Sequence, residues 1–106
     1  MTYDVAVIGG GASGIATAIM CARYSLRVLV LENNDRILKK VLATGNGKCN
    51  FSNVDVRAER YNTPFVANAL TNFTYRDAIA FFESLGMMSV VDEGRLYPYS
   101  NISNTC

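Results

Sequence analysis

"VIGGGASGIATA", Val7 to Ala18, decides the fold. Gly9, Gly11 and Gly14 stand there in the G-x-G-x-x-G spacing. Alone, that spacing is a weak signal, and its context gives it meaning. Upstream, Tyr3 to Ile8 ("YDVAVI") reads as a short buried strand stopped by three glycines. Downstream, Ala12 to Tyr24 reads as a helix, with Ile15, Ala18, Ile19 and Ala22 spaced i, i+3, i+4, i+7. Arg27 to Leu31 ("RVLVL") then reads as a second strand. Its nearly continuous apolar character suits a parallel strand covered on both faces. Strand, helix and strand within about 30 residues make one βαβ unit, whose crossover should be right-handed.

In such a unit each glycine has a separate task. Gly9 permits the tight turn, Gly11 leaves room for a pyrophosphate, and Gly14 lets the helix pack closely on the strands. The backbone N–H groups of Ala12 and Ser13 open the helix and point at the phosphates, and the helix dipole adds to the attraction. Glu32 closes the second strand, 18 residues after Gly14. A carboxylate there can accept hydrogen bonds from ribose hydroxyls. The bland alternative is a glycine turn followed by a solvated acid. Five features in register favour a dinucleotide site over it. The pattern leaves FAD and NAD both open. Glu32 argues against the 2′-phosphate of NADP at this position, because like charges would meet.

A second glycine-rich stretch, "ATGNGKCNFSN" from Ala43 to Asn53, ends like an ATP-binding loop. That loop has the form G-x-x-x-x-G-K-[ST]. Registered on Gly47-Lys48, it requires glycine at Leu42 and a magnesium-binding hydroxyl at Cys49. Both positions fail, so the ATP loop is rejected.

Composition narrows the class further. The 106 residues suffice for one small domain, and half of them are hydrophobic, as in a globular chain. A formal net charge of +1 gives no reason to expect a nucleic acid or an acidic membrane as partner. "MTYDVAVIGGG" lacks the basic start and apolar core of a secretory signal, and no apolar run approaches the roughly 18 residues of a membrane span. The expected location is cytoplasmic. Cys21, Cys49 and Cys106 are widely spaced and there is no histidine, which argues against a zinc site and a disulfide framework.

Beyond the βαβ unit, Arg36 to Val41 reads as a helical turn followed by a loop. Thr63-Pro64 caps and opens a helix whose apolar face is Phe65, Val66, Ala69, Leu70 and Phe73. Thr74 caps another, with Asp77 completing a capping box, Ala78, Ile79, Phe82 and Leu85 on one face, and Gly86 at the end. Met88 to Val91 and Arg95 to Tyr99 read as a hairpin around Glu93-Gly94. The fold class expected is α/β: a Rossmann-like βαβ unit, then helices and a β-hairpin, with an incomplete sheet.

Val5 to Glu32, "DRILKKVLATGNGKCNFSN" and the late "GRLYPYSN" together make a resemblance. The chain resembles the BaiN-like (aminoacetone oxidase) family of bacterial FAD-dependent oxidoreductases, which have two dinucleotide-binding domains in their wider superfamily. It follows the family loop from Lys39 to Asn53 and departs at Leu38, where the family commonly has glycine. The resemblance implies FAD as cofactor and NAD(P)H as electron donor. It implies that Thr44, Gly45, Asn46, Gly47, Lys48, Cys49 and Asn50 line the flavin, with Lys40 contacting phosphate. Gly45 and Gly47 would let backbone approach a flat ring, and Lys48 would place positive charge beside a reduced one. The other reading of these residues is an ordinary surface loop. Cys49 has no cysteine a few residues away, so a packed, unreactive thiol is favoured over a redox-active one. Tyr97 and Tyr99 are read as core or hairpin packing.

The expected function is the FAD-binding portion of an oxidoreductase acting on a small organic molecule. No residue qualifies as catalytic, and the substrate and the oligomeric state are left open. One rival is an NAD-binding dehydrogenase domain, which would not purify yellow. Another is a non-catalytic dinucleotide-binding redox sensor, which would show no turnover. Family members run to several hundred residues, so 1–106 is expected to be the N-terminal part of a larger FAD-binding domain. By itself it is expected to be marginally stable and unable to retain FAD.

Overall fold

A computed structural model describes residues 1–106. The chain divides into two compact units, Met1–Leu42 and Ala43–Cys106. In the first, β1 (Val5–Ile8), α1 (Ala12–Arg23) and β2 (Val28–Leu31) form the expected βαβ unit. β1 and β2 pair in parallel, Val5 against Val28 through Ile8 against Leu31. Their register is pinned at the start by Asp4 and Arg27. Arg27 donates to Asp4 from its backbone N–H at 2.8 Å, from Nε at 3.0 Å and from a terminal nitrogen at 2.9 Å, while the Asp4 N–H donates to the Arg27 carbonyl at 2.8 Å. This fork holds the Asp4 carboxyl below its ordinary range.

The chain leaves β2 through bends rather than the helical turn expected over Arg36 to Val41. Ile37 to Lys40 make a turn, and a 3-10 segment follows at Val41–Gly47. The shift has a backbone cause. Leu38 adopts a left-handed φ of 57°, which an α-helical turn excludes. The family's glycine would hold that conformation without strain, and here leucine holds it. The Leu38 N–H donates to the Gly10 carbonyl at 2.7 Å, so the turn is tied to the glycine loop whichever residue supplies it.

The second unit contains α2 (Ala67–Asn72), α3 (Tyr75–Ser84) and an antiparallel sheet of β3 (Ser52–Asn53), β4 (Ser89–Asp92) and β5 (Arg95–Pro98) in the order β3-β5-β4. Thr63 caps a 3-10 turn, Pro64–Val66, that leads into α2. Phe65 and Phe73 do not pack as the periodicity suggested; Phe65 is 89% exposed. Six residues of α2 are too few to turn the whole stripe toward one partner. The capping box of α3 forms as read: the Thr74 side chain accepts from the Asp77 N–H, and Asp77 accepts from the Thr74 N–H at 2.7 Å. Gly86, with φ of 90°, ends the helix region. The hairpin turn has positive φ at both Glu93 (50°) and Gly94 (79°), the geometry whose twist suits a two-residue connection.

β3 is the element that periodicity missed, because two residues show no alternation. It exists because β5 offers its free edge. Phe51 donates to the Leu96 carbonyl at 3.0 Å and Val54 to the Gly94 carbonyl at 2.9 Å, and they extend the pairing on either side. The core sits behind this sheet. Leu96, Tyr97 and Pro98 are buried with Met87 and Cys49. Phe51 and Phe82 meet with ring centroids 4.7 Å apart.

Candidate functional site

The first cluster of site residues surrounds the start of α1. Gly9 has a φ of 101°, closed to ordinary side chains, and makes the tight turn after β1. A Cβ on Gly14 would lie 1.9 Å from the Gly9 carbonyl oxygen, so helix and turn touch there. A Cβ on Gly11 would meet nothing within 4 Å. The three glycines therefore differ as the pattern requires: one fixes the turn, one fixes the packing, and the middle one keeps open space at the helix entrance. Gly11 is the N-cap and brings no side-chain cap; the first turn holds no acid. Ile15 is the first residue to return its N–H to this turn, to the Gly11 carbonyl at 2.9 Å. Ala12 and Ser13 are exposed at the entrance with donor groups facing no capping side chain.

Gly10, which the spacing rule leaves as "x", is a constrained residue that sequence reading missed. It is buried, and a Cβ on it would lie 2.7 Å from Ile37 Cγ2. Its N–H donates to Glu32 Oε1 at 2.9 Å. The unbroken triple glycine was the available signal. Glu32 itself closes the loop. Its other oxygen accepts from the Asn34 N–H at 2.8 Å and from the Asn34 side-chain amide at 3.3 Å. The Asn34 and then the Gly10 backbone bonds hold its carboxyl below the ordinary range, so it stays charged near neutral pH. Lys40 is exposed at the end of the turn.

The second cluster is the loop from Thr44 to Asn50. Gly45, Asn46, Gly47 and Cys49 all have left-handed φ, at 55°, 53°, 83° and 59°. Cys49 donates its N–H to the Thr44 carbonyl at 3.0 Å and Lys48 to that of Gly45 at 3.1 Å, so the loop folds on itself. The two glycines differ. Gly47 faces open space. A Cβ on Gly45 would lie 2.6 Å from the Asn50 nitrogen and 3.3 Å from Tyr97 Cε1. The bareness of Gly45 is used inside the loop, whereas that of Gly47 meets open space. Asn46, Lys48 and Asn50 are exposed, while Cys49 is 6% exposed. Cys49 is packed as expected but has a partner that sequence spacing hid: Cys106 Sγ lies 2.6 Å from its sulfur. Tyr97 is buried in the core and Tyr99 is exposed, so hairpin packing holds for the first alone.

The family model for the HI0933-like protein Rossmann domain matches residues 3–106. The chain belongs to that family. It is a Rossmann-type dinucleotide-binding domain of a flavin oxidoreductase family, in keeping with the BaiN-like resemblance. It is 42% identical over 102 residues to a 3-dehydro-bile acid delta(4,6)-reductase of Clostridium scindens, covering 92% of this chain and 25% of that protein. It is 33% identical over 88 residues to a ribosomal RNA dihydrouridine synthase of Escherichia coli, covering 80% of this chain and 22% of that one. A flavin-containing amine oxidase A of Equus caballus is 40% identical over 52 residues, 49% of this chain and 10% of the oxidase. The chain thus spans a quarter or less of the length of these relatives. No helix is long and apolar enough to cross a membrane.

Proposed function

We propose that this chain supplies the FAD-binding part of a flavin-dependent oxidoreductase. The observation that carries the reading is the open space at Gly11, set between a helix entrance without a cap and a charged Glu32. That arrangement fits a dinucleotide. Ala12 and Ser13 would donate backbone N–H groups to its pyrophosphate, and Glu32 would accept from its ribose. Lys40 would neutralise phosphate charge. In the second cluster, exposed Asn46, Lys48 and Asn50 and half-buried Gly47 would meet the flavin, with Thr44, Gly45 and Cys49 holding the loop in shape. When bound, FAD supplies hydride transfer from NAD(P)H to a small organic acceptor. The protein's share is to hold the cofactor, exclude water and set the local charge.

The test uses this chain within a protein of the relatives' length, because the chain spans a quarter or less of those relatives. The wild type should purify yellow. Gly11→Val should purify colourless while its circular dichroism stays that of the wild type, since the added side chain enters only the open space. Glu32→Ala should weaken FAD binding about ten- to hundredfold, as expected when a hydroxyl loses a charged acceptor. A yellow Gly11→Val protein at full flavin occupancy would remove the pyrophosphate from this loop.

A further inference from the structure

We propose that Cys49 and Cys106 are a redox-modification site that closes into a reversible disulfide. Their sulfurs are 2.6 Å apart across 57 residues of sequence. That is closer than two sulfurs in simple contact and short of a bond, which forms at about 2.05 Å. Joining them needs a shift of about half an ångström. The surroundings favour closure over escape. Cys49 and Met87 are 6% and 5% exposed, the Met87 sulfur lies 3.7 Å from Cys106 Sγ, and neighbouring Ser103 is buried too. Both backbones are also held. Cys49 donates to Thr44 inside the left-handed loop, and Cys106 donates its N–H to the Ser103 carbonyl at 3.0 Å. The Cys106 thiol is held protonated at neutral pH. Burial, then the hydrogen bond to Cys49, pushes Cys106 up to about 12. Oxidation therefore requires a real oxidant, of the peroxide or organic disulfide class.

With hydrogen peroxide the step balances simply. Each sulfur gives up one electron and one proton, the S–S bond forms, the O–O bond breaks, and two waters leave. Reduction by a dithiol returns both protons. The bond would fasten the segment from Ile102 to Cys106 to the loop of Thr44 to Asn50. This inference does not rest on FAD binding. The thiol chemistry stands or falls without cofactor.

The test is disulfide mapping after peroxide treatment of a protein of the relatives' length that carries this chain, with free thiols alkylated before digestion. Cys21, on α1 in the other unit, is removed by Cys21→Ser so that this chain keeps two thiols. Oxidised Cys21→Ser should lose both of these titratable thiols and about 2 Da. It should yield one peptide pair linking 49 to 106, melt at a higher temperature than the reduced form, and recover both thiols with dithiothreitol. Cys106→Ser in the same background should give no link. If that second variant misfolds, the mapping of Cys21→Ser alone decides. Both of these thiols still titratable after excess peroxide, or Cys49 carried to sulfinic acid without a link, would overturn the proposal.

Discussion

No side chain of Met1–Leu42 is fully buried, whereas Ala43–Cys106 encloses Cys49, Met87, Leu96, Tyr97 and Pro98. The first unit is held together by directional bonds: two parallel strands, the Asp4–Arg27 fork, and the Gly10 contacts to Glu32 and Leu38. Ile8 and Leu31, at the ends of its strands, are 78% and 49% exposed. The second unit has a three-stranded sheet with a packed face. The difference teaches that a glycine loop can be specified in geometry by residues that contribute little apolar burial. Its shape is fixed by glycines and hydrogen bonds.

Substitutions can break or sharpen this contrast. The largest effect is expected at Leu96, which is 0% exposed. Leu96→Ala should cost about 2–5 kcal/mol in urea unfolding of the second unit. The matching truncation on half-buried β2, Val30→Ala, should cost about 1 kcal/mol, because fewer atoms there leave water. Equal losses would erase the contrast.

Gly14→Ala comes next. Its Cβ would meet the Gly9 carbonyl at 1.9 Å, and backbone cannot swing aside as a side chain can. A cost of about 1–3 kcal/mol is expected. Hydrogen exchange should show it as faster exchange across α1 and β1, with the hairpin amides unchanged.

Thr74→Ala removes the hydroxyl of the α3 capping box and should cost about 1 kcal/mol by thermal melting.

Acid should separate the units in turn. Asp4 and Glu32 both sit in the first unit with carboxyls held below ordinary values of 3.8 and 4.5. Asp77, in the second, is held below 3.8 by Thr74. A lowered carboxyl contributes stability that is complete above its unfolded value and is lost as pH falls through the folded one. Amide exchange followed from pH 5 downward should therefore rise first in the first unit, which has two such groups and no core. Loss of the hairpin before α1 would contradict this.

The smallest effect is at the hairpin turn. Glu93 is exposed with φ of 50°, a conformation asparagine tolerates better. Glu93→Asn should raise stability by about 0.5 kcal/mol, read from the denaturation midpoint.

The sequence by itself determined the βαβ unit, the tight turn at Gly9, the close packing at Gly14, the Thr74 cap and the Glu93-Gly94 turn. All are set by local rules: side-chain periodicity, glycine's freedom at positive φ, and hydrogen bonds between near neighbours in the chain. Tertiary structure decided what depends on distant partners. β3 forms from two residues because β5 lends it an edge. Gly10 must be bare because Ile37 and Glu32, more than 25 and 20 residues away, close over it. Gly45 must be bare because Tyr97 on β5, as well as nearby Asn50, closes on it. Cys49 gains a thiol partner 57 residues on. No spacing rule reaches such pairs, since their geometry is fixed only after the whole chain has folded around them.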